Sequence, residues 1–261
     1  MDLEEVLSIK GSKILDSSIF NSGYDILGEL YGCKSFLDIP FNELLIEIDS
    51  FREVLPYIHN RDLFTIPEVT KENEIFLEKI NQVISYHNKK PDLFHNNKNK
   101  SFKQGDSYSK ENSKEKIMDS LNVLGKEINK LIKGFKSRDI TTNFSYEEKK
   151  EYNKFTNYFS YICDKEPLKI DSSSKIKYKN KVPCDFKTDE KIVSAAFTLA
   201  LTNPVNILSS DMDLKRMIYF FCKDKFYKNR FNLPWINNKV SLYSKFKGNY
   251  ELKGNWFDKT S

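Results

Sequence analysis

Acidic residues recur at places in this chain where carboxylates can meet. Asp16 follows the short apolar run of KILDSSIF, and Glu68 and Glu72 follow that of LFTIPEVTKE. Asp189 opens TDEKIVSAAF, while Asp211 and Asp213 close NILSSDMD. Carboxylates gathered without partners repel one another, and a hard divalent cation such as Mg2+ or Mn2+ resolves that repulsion with oxygen ligands. One or two such ions can activate water and stabilise the charge that develops in phosphodiester hydrolysis. The three histidines, His59, His87 and His95, are scattered among polar residues, and no His/Cys cluster is present, so an oxygen-only site is expected rather than zinc. None of the nine glycines falls in a GxGxxG or GxxxxGK[ST] pattern, which argues against a dinucleotide or P-loop role.

Each acid also has a plainer use. Asp189, behind Thr188, suits the first turn of a helix, where the dipole favours a carboxylate by about 0.5–1 kcal/mol. Asp211 and Asp213 suit a turn and a helix cap, and Asp16 can cap alongside Ser17 or Ser18. Glu72 has Glu68, Glu74 and Glu78 for neighbours, as on any solvated helix face. The metal reading rests on the acids occurring together rather than on any one of them.

The elements that must position these acids follow from periodicity. Ile14 and Leu15 form a short strand that runs into Asp16. Leu44, Leu45, Ile48, Phe51 and Leu55 recur at helical spacing and stop before Pro56. Residues 63–66 read as a second strand, and Val69, Ile75, Leu77, Ile80 and Ile84 as the apolar side of the helix after it. Residues 88–116 are rich in Lys, Asn and Ser and are expected to form a loop or linker. Ile117, Leu121, Leu124, Ile128, Leu131 and Ile132 then make an amphipathic helix, and SYEEKKEYNKFTNYFSYICD another. Ile192, Ala196, Leu199 and Ala200, with Val193 beside them, are a core stripe; VNIL is a strand, a helix is expected after Met217, and KVSLYSKF is a closing strand.

Strands alternating with helices indicate an α/β fold with a mainly parallel central sheet flanked by helices. Active sites in such sheets sit at the carboxyl ends of the strands, where these acids fall. Residues 88–183 interrupt the alternation and read as a large, mostly helical insertion between residues 1–87 and 184–261. Hydrophobic residues make up 39% of the chain, enough for a core, and charged residues 30%. The net charge of +5 is compatible with a polyanionic partner. KIKYKNK, with its interleaved Tyr178, and the pair Lys215 and Arg216 are the candidate phosphate-binding residues. Four scattered cysteines without CxxC point to a reducing compartment, and no apolar run is long enough to span a bilayer, so a soluble cytoplasmic protein is expected.

Taken in order, KILDSSIF, FTIPEVTKE and TDEKIVSAAF…NILSSDMDL resemble the motifs of the PIN-domain nuclease family. The resemblance covers residues 13–20, 63–77 and 188–218. It implies a metal-dependent nuclease with a compact α/β sheet and an acidic pocket, usually acting on RNA. On this chain Asp16 matches the first acid, Glu72 the second, with Glu68 and Glu74 as its rivals, Asp189 the third and Asp211 the fourth. Asp213 matches a frequent additional acid. Ser18 and Ser210 match positions that hydrogen-bond metal water or an acid. The resemblance thus implies Mg2+ or Mn2+ held by Asp16, Glu72, Asp189, Asp211 and Asp213. The connection across residues 73–188 is far longer than in small toxin-type members, which argues against a bare toxin. The insertion would serve substrate selection, homodimerisation or a protein partner. The rival readings are a catalytically degenerate domain of the same fold that binds RNA or protein, and a Mg2+-dependent phosphatase acting on small esters.

Overall fold

The apolar runs IL and VNIL become neighbouring parallel strands, and a five-stranded sheet is built outward from them. The structure is a computed structural model that describes residues 1–20, 41–89, 105–165, 187–223, 239–246 and 249–254. The described elements are α1 (Leu3–Ser8), β1 (Ser12–Leu15), α2 (Phe41–Val54), β2 (Leu63–Phe64), α3 (Pro67–Lys89), α4 (Gly105–Lys136), α5 (Tyr146–Lys165), α6 (Thr188–Ala200), β3 (Val205–Leu208), α7 (Met212–Lys223), β4 (Val240–Phe246) and β5 (Asn249–Gly254). The chain divides into two units. The first comprises residues 1–19, 57–71 and 134–261, and the second residues 20–56 and 72–133, so α3 and α4 each contribute to both. The 88–183 segment spans the division.

In the first unit the strand order is β2-β1-β3-β4-β5. β1 pairs in parallel with β2 and β3, β3 in parallel with β4, and β5 closes the edge antiparallel to β4. Ile14, Leu15, Val205, Ile207 and Leu208 are wholly buried, the pattern of a sheet covered by helices on both faces. Gly11 turns the chain into β1 with φ of +114°, and a Cβ there would collide with the Pro204 carbonyl, which accepts the Ser12 N–H at 3.0 Å. Residues 138–140 lie against the sheet at Thr65, whose N–H donates to Arg138 and whose carbonyl accepts from Ile140, each at 3.1 Å. Helices α5, α6 and α7 are joined by Phe155, Tyr158, Phe159, Phe197 and Phe221. Phe197 and Phe221 sit edge to face with centroids 4.7 Å apart, and Phe155 meets Phe197 at 5.6 Å. Each such buried ring contributes roughly 2–3 kcal/mol by removal from water.

The second unit is helical. Leu44, Ile48, Phe51 and Val54 of α2, Phe76 and Ile80 of α3, and Ile117, Leu121, Leu124, Ile128, Leu131 and Ile132 of α4 are all buried. Phe20 stacks on Phe51 at 5.3 Å, and Phe51 meets Phe76 at 6.2 Å. Glu127 is buried among them and is held by Lys130 at 2.8 Å and Arg52 at 3.4 Å.

Several elements differ from the sequence expectations: α1 was not expected, and β2 covers Leu63–Phe64 rather than residues 63–66. Residues 105–116, expected as loop, are the first turns of α4: Lys and Glu are good helix formers and extend the helix beyond its apolar stripe. α7 starts at Met212, not after Met217, because Asp211 caps it. β5 was not expected; its polar run, with Glu251 and Leu252 exposed and Tyr250 buried, forms the sheet edge. The KIKYKNK segment lies outside the described residues. Among those residues no helix is long and apolar enough to cross a membrane.

Candidate metal centre

Because β1 and β3 are parallel neighbours in register (Leu15 beside Leu208), the residues after each emerge at the same edge of the sheet. The ladder continues one step further, with the Asp16 N–H donating to Leu208 O at 3.0 Å and the Ser209 N–H to Tyr243 O at 3.0 Å. Asp16 and Ser209 are therefore fixed by backbone before any side chain acts.

Two short segments, Asp16-Ser17-Ser18 and Ser209-Ser210-Asp211, then interlock. Ser209 Oγ donates to Asp16 Oδ2 at 2.6 Å, and Ser18 Oγ donates to the same oxygen. Ser17 Oγ adds a longer bond to Asp16 Oδ1 at 3.4 Å. The oxygens of both serines accept in return, Ser18 from the Ser210 N–H at 2.8 Å and Ser209 from the Asp211 N–H at 2.9 Å. The Ser18 and Ser209 oxygens are 3.0 Å apart. Each hydroxyl has one proton, and in this contact either serine could donate to the other instead of to Asp16. Asp16 and Ser209 are buried, so this network is shielded from water.

Asp211 stands at the exit of this network. Its Oδ1 accepts the Asp213 N–H at 2.7 Å, which caps α7 and places Asp213 in the first helical turn. Asp213 in turn accepts from Arg216 Nη1 at 2.9 Å. Asp189 arrives from the first turn of α6. There Lys187 occupies the N-cap position in the left-handed region, at φ 50° and ψ 42°, and supplies no side-chain cap. Asp189, Asp211 and Asp213 are each half-buried, and a carboxylate oxygen from each lies within 4.8 Å of the others, a group that can hold a metal ion. Burial, and after it the neighbouring Asp16 and Asp213 carboxylates, push the Asp211 carboxyl up to about 6, against the lowering effect of the Asp213 N–H and Arg216.

Of the residues singled out from sequence, Asp189, Asp211 and Asp213 form the convergent group, and Asp16 and Ser18 adjoin it through the hydrogen-bond network. Ser210 takes part through its backbone N–H. Glu72 is half-buried on α3, within the second unit, and is not in the convergent group. Its rival Glu68 is engaged elsewhere, accepting from Lys191 Nζ at 2.8 Å. Tyr152 shares that region, and burial first, then the charges of Glu68 and Asp139, push its phenol up. The residue that sequence reading missed is Ser209. Its only signal was position: it is the first residue past β3, where strand alternation continues inward.

No protein-family model matches the sequence, and neither a curated protein nor a solved structure matches it.

Proposed function

We propose that this acidic site binds Mg2+ or Mn2+ and that the protein is a metal-dependent endonuclease hydrolysing phosphodiester bonds, with RNA as its substrate. One observation carries the reading: three carboxylates from two separate helix starts, Asp189 on one and Asp211 and Asp213 on the other, converge beside the buried Asp16. Such a cluster raises its own electrostatic energy unless a cation neutralises it, and the Asp16 and Asp213 carboxylates add to burial in pushing the Asp211 carboxyl up. The donor set is carboxylate only, which suits a hard dication and not zinc.

A cation bound here supplies charge neutralisation and activation of water for attack at phosphorus. Asp189, Asp211 and Asp213 would hold it. Asp16 contributes negative potential and, through Ser209, fixes the backbone that carries Asp211. Lys215 and Arg216 place positive charge within the first turns of α7, where the phosphate of a bound strand would meet it. The order of the acids along the chain and their place at the carboxyl edge of the sheet support a PIN-like relationship, with residues 88–183 as an insertion serving substrate selection or assembly.

Mn2+ titration followed by electron paramagnetic resonance tests the site without relying on cleavage. Asp189→Asn and Asp213→Asn are each expected to weaken binding by more than the roughly 10–100-fold typical of outer-shell partners. Unchanged Mn2+ binding in both variants would remove the proposed centre.

A further inference from the structure

The second unit carries a charged surface that the acidic centre does not use. Between Asn122 and Lys133 the exposed positions of α4 are Asn122, Lys126, Asn129, Lys130 and Lys133, and no acid stands among them. Lys126, Lys130 and Lys133 follow one another at spacings of four and three residues, which sets them on one face along roughly 10 Å of helix. Exposed lysines on other helices are interleaved with acids. On α5, Lys149, Lys150 and Lys154 share the surface with Glu147, and Lys154 is paired to Glu151. On α3, Lys71 is followed by the exposed Glu74 and Glu78.

The acid of α4 within this span lies beneath the row, and Asp119 is exposed two turns before Lys126. Glu127 is buried and accepts from both Lys130, at 2.8 Å, and Arg52 of α2, at 3.4 Å. One buried carboxylate thus holds two cationic side chains whose outer parts stay in water, since Lys130 is 64% and Arg52 53% exposed, and Arg52 also pairs with the exposed Asp49 at 3.8 Å. Anchoring lowers the ordering cost of meeting an anion.

We propose that this face of α4 binds the sugar–phosphate backbone of a single-stranded nucleic acid, without reading its sequence. The shape of the charge selects the partner. Lysines spread along a helix suit a linear run of phosphates rather than one phosphate held in a cradle. A membrane surface fits less well, because the apolar face of this helix (Leu121, Leu124, Ile128, Leu131 and Ile132) is buried, leaving nothing to enter a bilayer. No aromatic residue occupies the exposed row, so bases are not stacked and sequence preference is not expected. The inference is independent of the acidic centre, since backbone binding requires no metal.

The test is fluorescence anisotropy of the full chain with labelled oligouridylate in EDTA, across a salt series, so that cleavage plays no part. The variant Lys126→Gln/Lys130→Gln/Lys133→Gln is compared with a charge-matched variant on α5, Lys149→Gln/Lys150→Gln/Lys154→Gln. The α4 variant is expected to bind more weakly and to lower the salt slope by about 2, at roughly 0.7 per lost phosphate contact. The α5 variant should keep the slope, and a Lys→Arg triple on α4 should restore binding. Equal losses in the two glutamine variants would mean that net charge alone is read, and would overturn the proposal. Absence of RNA binding by the unaltered chain would also overturn it. So would an α4 variant that keeps oligouridylate binding but loses binding to phosphatidylserine vesicles in a parallel sedimentation assay, which would reassign the face to a membrane.

Discussion

Ser209 Oγ donates to Asp16 Oδ2 across 2.6 Å while accepting the backbone N–H of Asp211 at 2.9 Å. A single buried hydroxyl therefore ties the acid at the end of β1 to the acid that caps α7. Asp16 needs donors because it is almost wholly buried, and the Asp211 N–H needs an acceptor because it lies past the last strand bond. Ser209 meets both needs with one proton and one lone pair.

Replacing that hydroxyl should be felt at both ends. Ser209→Ala leaves Asp16 with one fewer donor and the Asp211 N–H without its acceptor, and is expected to destabilise the fold by about 1–3 kcal/mol. Ser209→Thr, which keeps the hydroxyl, should cost less. Urea denaturation of the two variants checks this ordering. Equal stability of the alanine variant and the unaltered chain would show that the network contributes nothing.

The position of Asp211 predicts a pH dependence. Burial and the neighbouring carboxylates push its carboxyl up to about 6 from the ordinary 3.8, so the folded state holds the proton more tightly than the unfolded state. Stability from this group therefore falls as pH rises across that window, and above it the ionised carboxylate costs the fold up to about 2–3 kcal/mol. Asparagine can still accept the Asp213 N–H and keep the cap, without the charge. In EDTA, Asp211→Asn should melt at a higher temperature than the unaltered chain near neutral pH, with the gap closing toward about pH 4. A gap that is constant with pH would contradict the electrostatic origin.

Glu127 should behave in the opposite sense. Burial opposes its ionisation, but Lys130 and Arg52 together hold its carboxyl below the ordinary 4.5. An acid lowered in the folded state lends stability above its unfolded value, and that stability is lost as pH falls through the folded one. Glu127→Gln is thus expected to lower stability by about 1 kcal/mol near neutral pH and by nearly nothing in strong acid. Thermal melts at the two extremes of pH distinguish this from a loss of packing, which would persist at both.

Much of the frame could be read from the chain itself. Strands β1 and β3 announced themselves as apolar runs ending in acids, because a parallel strand buried on both faces has no polar side to alternate. The stripe of α4 followed from helical spacing and is buried throughout, whereas α6 is buried at every position from Ile192 to Thr198 and Leu199 of its expected stripe is only half-buried. Ser209 did not stand out, because a serine after a strand reads as turn chemistry until the neighbouring strand is known to bring Asp16 beside it. Residues 105–116 misled by their polarity: composition reports whether a segment has a core-facing side, not whether its backbone is helical. β5 was hidden for a related reason, since an edge strand buries little and its sequence carries only Tyr250 as a core residue. Lys13 and Asn206, both buried in strand positions, break the apolar pattern; Asn206 does so while donating to Lys10 O at 3.3 Å.

The most direct measurement is cleavage of labelled single-stranded RNA by the purified chain with Mn2+, with Mg2+ and with EDTA, beside the Asp189→Asn/Asp211→Asn double variant. A metal-dependent nuclease centred on these carboxylates predicts cleavage with either cation, none in EDTA, and a loss of at least about 100-fold in the double variant. Cleavage that survives both EDTA and the double substitution, or a chain that cuts no RNA while binding Mn2+ at the site, would contradict it.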